Sequence, residues 1–219
     1  MVAAEPYRVR QWREREQEIL RVATDVLMER GYRDTSMDDI AGQMGLSKGT
    51  LYHHFPSKDV LMLALFEGRL SSLLETLRQI QSEATSPSAA LAAALRVLLR
   101  SHGEALRVAG DMAGPPVLAV REQPTIRALM TEISGVLSTI IDAGKTQGIF
   151  AHGIDTAIAV RALYALVTSH AYRTILGNGA VTEERLLDTL AQLYLGGLTA
   201  PAPLPMALPN ATGTEVARR

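Results

Sequence analysis

Through most of this chain apolar residues return every third or fourth position, the spacing that gathers them on one face of a helix. No stretch alternates apolar with polar residues as a half-buried strand would. The clearest stripe is Ile126, Leu129, Met130, Ile133, Val136, Leu137, Ile140 and Ile141, which predicts a long core helix ended by Gly144 or Gly148. Ahead of it, residues 60–83 read as another long helix. Ser86-Pro87 then opens a helix with Leu91, Leu95, Leu98 and Leu99 on its inner face. Residues 103–116, with Gly110, Gly114, Pro115 and Pro116, are expected to form an irregular loop bordering a pocket. Residues 155–176 and 182–198 are the last two helices, ending near Gly177 and Gly196-Gly197. The expected class is all-α.

Residues 35–58 spell two short helices joined by a tight turn. The first opens at Thr35 or Ser36, whose hydroxyl caps free amides while Asp38 or Asp39 favours the positive end of the helix dipole. Its inner face is Met37, Ile40, Ala41 and Met44, and Gly45 supplies the left-handed residue that stops it. Ser47 caps the second helix, in which Leu51 and Phe55 point inward. Lys48, Gly49, Thr50, Tyr52, His53 and His54 are left on the outward or N-terminal surface. A long donor, a residue without bulk and a short hydroxyl in the first turn suit a helix that reads base edges in a major groove. Pro56 ends that helix, Ser57 caps the next, and Lys58 beside the free amides fits a phosphate clamp. Thr35, Ser36, Ser47, Lys48, Gly49, Thr50, Tyr52, His53 and Lys58 are therefore the expected DNA-binding residues.

The run at residues 45–58, Gly-Leu-Ser-Lys-Gly-Thr-Leu-Tyr-His-His-Phe-Pro-Ser-Lys, resembles the TetR/AcrR family of bacterial transcriptional regulators. The resemblance extends over the preceding helix at residues 19–30, the Gly31-Tyr32 turn, the Thr35-Ser36 start and the Asp39-Ile40-Ala41 core. It departs at Met44, where the family more often has a small residue, and at His54, where an aromatic is frequent. Roughly the first 65 residues carry recognisable motif, and beyond them only the layout is similar. The resemblance implies an N-terminal three-helix helix-turn-helix head at residues 1–57 with an arm over about 1–14. It also implies a larger C-terminal helical domain for effector binding and dimerisation at 58–199, and residues 200–219 with their four prolines read as a disordered tail. The partners it implies are double-stranded DNA with a palindromic operator and a second copy of the chain, docked through the last two helices. An unknown small-molecule effector completes the set. Ala159, Ala162, Ala165, Ser169 and Ala191 would allow close approach of those helices, and Leu166, Leu187, Leu190 and Leu193 would supply apolar area.

Composition narrows the rest. The chain has 219 residues, is 47% hydrophobic and carries a formal net charge of −1, so any basic surface is local. The basic positions cluster in Arg8, Arg10, Arg13 and Arg15, which read either as an arm reaching DNA or as a solvated helix start with i,i+4 charge pairs. The absence of cysteine removes thiolate chemistry and sulfur-ligated zinc and agrees with a reducing cytoplasm. No secretory segment or membrane span is read.

A catalytic reading fails on the residues. Gly144-Lys145-Thr146 ends like a phosphate-binding loop, but the glycine required five positions earlier is Thr139 and the context is helical. His102, His152 and His170 lack metal-ligand spacing, and no nucleophile elbow exists. No catalytic residue, metal or cofactor is expected. The effector pocket is expected to be apolar, with His102, Met112, Met130, Ile133, Tyr164 and His170 as its candidate residues. A helical interaction protein without a small-molecule ligand is the alternative reading.

Overall fold

The computed structural model describes residues 6–109, 120, 122–168, 179 and 181–199, with side chains described to residue 103 in the first of these spans. Met112, Ser169, His170 and the tail from residue 200 lie outside the described residues. Eight helices are described: α1 (Tyr7–Arg30), α2 (Met37–Gln43), α3 (Lys48–His54), α4 (Lys58–Glu83), α5 (Pro87–Ala109), α6 (Pro124–Thr146), α7 (Thr156–Val167) and α8 (Glu183–Thr199). The chain is all-α, as its periodicity predicts.

Two buried apolar clusters organise these helices. In the first, Ile19, Ala23 and Leu27 of α1 meet Met37, Ile40 and Ala41 of α2, Leu51 of α3, Phe55, and Leu61, Met62 and Leu65 at the start of α4. The second takes Leu73, Leu74 and Leu77 from the far half of α4, the predicted leucines of α5, and Ile133, Leu137, Ile140 and Ile141 of α6. Val160 and Leu163 of α7 and Leu187 and Leu190 of α8 complete it. One helix, α4, thus spans both cores, and it joins the head to the body.

Several boundaries differ from the sequence expectation, each for a local reason. Helix α1 begins at Tyr7, not near residue 19, so Arg8, Arg10, Arg13 and Arg15 stand on its exposed first turns; Arg10–Glu14 and Arg15–Glu18 are the i,i+4 and i,i+3 pairs of a solvated helix start. Gly103 lies inside α5, which runs on to Ala109, because one glycine lowers helix propensity by only about 1 kcal/mol. Gly196 and Gly197 are likewise inside α8. At the end of α6 it is Gly148, at φ 69°, that takes the left-handed conformation, and the amides of Ile149 and Phe150 donate to the Gly144 carbonyl. Gly144 has a different task. The buried ring of Phe150 lies against its Cα, where any side chain would collide with the ring.

Candidate nucleic-acid interface

Two seven-residue helices are too short to be stable alone, and each is fixed by a capping side chain. Ser36 accepts from the Asp39 amide at 3.1 Å while Asp39 Oδ2 accepts from the Ser36 amide at 2.7 Å, a reciprocal capping box. The Ser36 hydroxyl, donating to the same carboxylate at 2.5 Å, and then the Ser36 amide hold the Asp39 carboxyl below its usual range, with Arg30 and Lys58 adding attraction. Ser47 Oγ accepts from the Thr50 amide at 3.1 Å and meets the Thr50 hydroxyl at 2.8 Å. Between them Gly45, at φ 64°, makes the turn. Ser57 repeats the device for α4, accepting from the Val60 amide.

This frame presents one face of α3. Leu51 is fully buried and anchors the helix, while Lys48, Gly49, Thr50, Tyr52 and His53 are exposed, as are Ser36 and Ser47. Thr35 is different from expectation. It is only 2% exposed, and its hydroxyl donates to the Gly31 carbonyl at 2.8 Å, so it closes the α1–α2 turn and presents nothing to a ligand. His54, whose position fits either the outward face or an interior contact, turns inward. Its ring stacks on Trp12 of α1 at 3.8 Å between centroids, beside Glu16, while His53 meets the same indole edge-on at 5.0 Å. Trp12 Nε1 donates to Glu16 Oε1 at 2.8 Å. Trp12 is a brace for the recognition helix that sequence reading missed. Its signal was an aromatic on an otherwise charged helix start.

The two lysines of the face are both engaged. Lys48 Nζ donates to Asp38 of α2 in an exposed ion pair, which raises the lysine pKa through the hydrogen bond and then the charge. Lys58 Nζ donates to the Tyr32 carbonyl and sits 3.8 Å from the centroid of the Tyr32 ring. Burial there lowers the Lys58 pKa, against the opposing pull of Asp59, Asp34 and Asp39. The Tyr32 hydroxyl in turn donates to Asp59 at 2.6 Å, and burial followed by that bond pushes its pKa up to about 12. Lys58 is thus a clamp between α4 and the α1–α2 turn before it is anything else.

Of the expected effector residues, Ile133, Met130, Tyr164 and His102 are described. Ile133 is fully buried in the body core. Met130 lies at 36% exposure on the outer side of α6. Tyr164 is half-buried beside Ser134, hydroxyl to hydroxyl at 3.2 Å, and burial raises its pKa. His102 is half-buried on α5. Of the residues expected at a dimer contact, Ala159, Ala191, Leu187 and Leu190 belong to the intrachain core, whereas Ala162, Ala165 and Leu193 are exposed, Leu193 to 66%. Ile158, at 67%, joins them. No group of metal-ligating side chains occurs among the described residues, and none of the described helices is long and apolar enough to cross a membrane.

Known proteins place this geometry. Residues 19–65 match the family of bacterial regulatory proteins described as the tetR family. The HTH-type transcriptional repressor KstR2 of Rhodococcus jostii (strain RHA1) is 30% identical over 194 residues, spanning 85% of this chain and 92% of that protein. A TetR/AcrR-family transcriptional regulator from Thermobifida fusca YX-ER1 shares the fold with a TM-score of 0.68 at 23% identity, over 84% of this chain and 98% of that one. The regulator FadR from Bacillus subtilis, in complex with stearoyl-CoA, does so at 0.65 and 19% identity, over 85% and 99%. With a capped helix-turn-helix in the matched segment and a relative aligned along most of its length, the chain belongs to the TetR family of DNA-binding transcriptional regulators.

Proposed function

We propose that this chain is a homodimeric, ligand-responsive repressor that holds a palindromic operator and is released by a small hydrophobic or amphipathic effector. The observation that carries the reading is the face of α3: Lys48, Gly49, Thr50, Tyr52 and His53 stand exposed together over one buried anchor, Leu51. In this reading Ser36, Ser47, Lys48, Gly49, Thr50, Tyr52, His53 and Lys58 meet DNA, and Lys48 leaves Asp38 for the major groove while Lys58 adds phosphate affinity. The head is residues 1–57 and the effector and dimerisation domain 58–199, with the first turns of α4 lending Leu61, Met62 and Leu65 to the head. Dimerisation through α7 and α8 is supported by Ile158, Ala162, Ala165 and Leu193, an apolar face that the single chain leaves open. Two recognition helices would then enter successive major grooves roughly 34 Å apart. The repressor role and the lipid-like effector are supported by relatives named as a repressor and as a complex with stearoyl-CoA. The protein acts in the cytoplasm, without catalysis.

Incubating the purified protein with fragmented host genomic DNA at near-physiological salt, and sequencing what is retained, tests this. Enrichment of a short palindrome is the expected outcome, and no enriched site from a folded dimer would exclude an apo-repressor. On the enriched site, Lys48→Ala or Thr50→Ala should erode discrimination by about 1–3 kcal/mol.

A further inference from the structure

Two neighbouring carboxylates at the start of α2 have different work. Asp39 is taken up by the capping box with Ser36 and lies 3.8 Å from Arg30. Asp38 instead crosses to α3 and pairs with the ammonium of Lys48, ten positions further on. Both partners stay open to solvent, the Lys48 side chain 69% and the Asp38 side chain 46% exposed. From Ile40 to Lys58 the sequence holds no carboxylate, so Asp38 is the acidic group that borders the recognition stretch and reaches into it.

Holding the two short helices together does not require this pair. Ile40 and Ala41 anchor α2, Leu51 anchors α3, and Ser36 and Ser47 cap them. An exposed ion pair adds little to such a frame. What the pair does control is where an ammonium at the first position of the recognition helix can go. On random DNA a phosphate offers Lys48 a charge-assisted acceptor of the kind Asp38 already supplies, so the exchange gains little. A guanine edge in the major groove offers O6 and N7 together, and that contact outweighs the loss of an exposed pair.

We propose that Asp38 is a specificity determinant of the recognition face: it holds Lys48 back from the phosphates of random DNA and yields it to a guanine edge of the cognate site. The inference rests on the reading of the α3 face as the base-reading surface. Asp38 is then a positioning residue that acts through Lys48 and lowers non-specific affinity more than specific affinity.

Fluorescence anisotropy of the full chain on a random duplex and on the enriched operator, over a range of salt, reads this directly. Asp38→Asn should raise affinity for the random duplex about twofold to fivefold and steepen its salt dependence by about one phosphate, because the freed Lys48 releases a counterion. Operator affinity should rise less, so the ratio of the two falls. In a Lys48→Ala background the same change should lose most of its effect, and Asp38→Glu should keep wild-type behaviour. Glu75→Gln, an equal change of charge at an exposed position on the far half of α4, should leave the ratio unchanged. No rise on the random duplex, or a fall in both affinities, would overturn the proposal. An equal rise with and without Lys48 would reduce Asp38 to plain repulsion of DNA and overturn it as well. Lys48→Ala without effect on either duplex would sink the reading of the face together with this inference. Weaker operator binding by Lys48→Ala, beside an Asp38→Asn variant that treats random DNA as wild type does, would sink this inference alone.

Discussion

The head and the body of this protein obey the same physics with opposite emphasis. In the head, α2 and α3 are seven residues each, and serine hydroxyls at Ser36, Ser47 and Ser57 supply what length cannot. In the body, α5 and α6 are 23 residues each and are held by continuous apolar stripes; α6 starts after Gln123 with no side-chain cap at all. The head's polar residues therefore dictate local geometry, and its apolar ones only anchor it. The difference teaches where damage should register: packing changes act in both regions, whereas losing a cap should matter most in the head, because the body helices that Ser86, Asp155 and Thr182 cap are also held by longer apolar stripes.

The largest test removes one fully buried leucine from each core. Leu51→Ala and Leu137→Ala should each cost about 2–5 kcal/mol, because a cavity is left in close-packed surroundings. Leu51 anchors the recognition helix of the smaller cluster, so its loss should abolish sequence-specific DNA binding while amides of α6 stay protected from hydrogen exchange. Leu137→Ala should lower that protection. Equal loss of protection in both regions from either variant would erase the distinction between two cores.

A second pair uses one substitution with opposite signs. Gly144→Ala sets a methyl against the Phe150 ring, whose Cγ would lie 2.9 Å away, and overpacking of this kind costs about 1–3 kcal/mol. Gly68→Ala in α4 meets open space and should stabilise the chain by up to about 1 kcal/mol through helix propensity. Urea midpoints of the two variants, moving in opposite directions, would bear out the contrast.

How much of this was legible in the sequence follows the same division. The motif of the head marked Ser36, Gly45, Ser47, Leu51, Phe55 and Ser57, and each takes the predicted role, because a cap or a left-handed turn is decided by residues within four positions. What escaped were contacts across the fold. Thr35 is buried, His54 is stacked on Trp12, and Lys58 bonds to Tyr32 over 26 positions. In the body the stripe of α6 told which face is buried but not what covers it, and it left the helix stop between Gly144 and Gly148, of which Gly148 makes the left-handed turn while Gly144 admits the Phe150 ring.

Ser47→Ala tests the cap itself. Loss of the hydroxyl that accepts from the Thr50 amide should cost about 1 kcal/mol, with a range of about 0.5–2. It should weaken DNA binding without altering the body's hydrogen exchange. Ser47→Gly should recover most of the stability, since glycine is tolerated at this position, and a variant pair with identical midpoints would remove the cap from the account.

The smallest expected effect is a pH dependence confined to the head. Tyr32 donates to Asp59, and its pKa stands at about 12 in the folded chain against 10.0 in the unfolded one. The folded state therefore keeps its proton where the unfolded state loses it, and stability falls as pH rises. The contribution is complete below about pH 10 and lost by about pH 12. Tyr32 is partly solvated, so screening reduces the contribution to about 1 kcal/mol. Tyr32→Phe should lower the head's stability by that amount near about pH 8, where lysines and tyrosines keep their usual charge. The gap between wild type and variant should then close as the solution becomes more alkaline, whatever the other titrating groups do to both proteins alike. A gap that stays constant to about pH 12 would mean that the Tyr32 ring under the Lys58 ammonium, and not its hydroxyl on Asp59, holds the α1–α2 turn to α4.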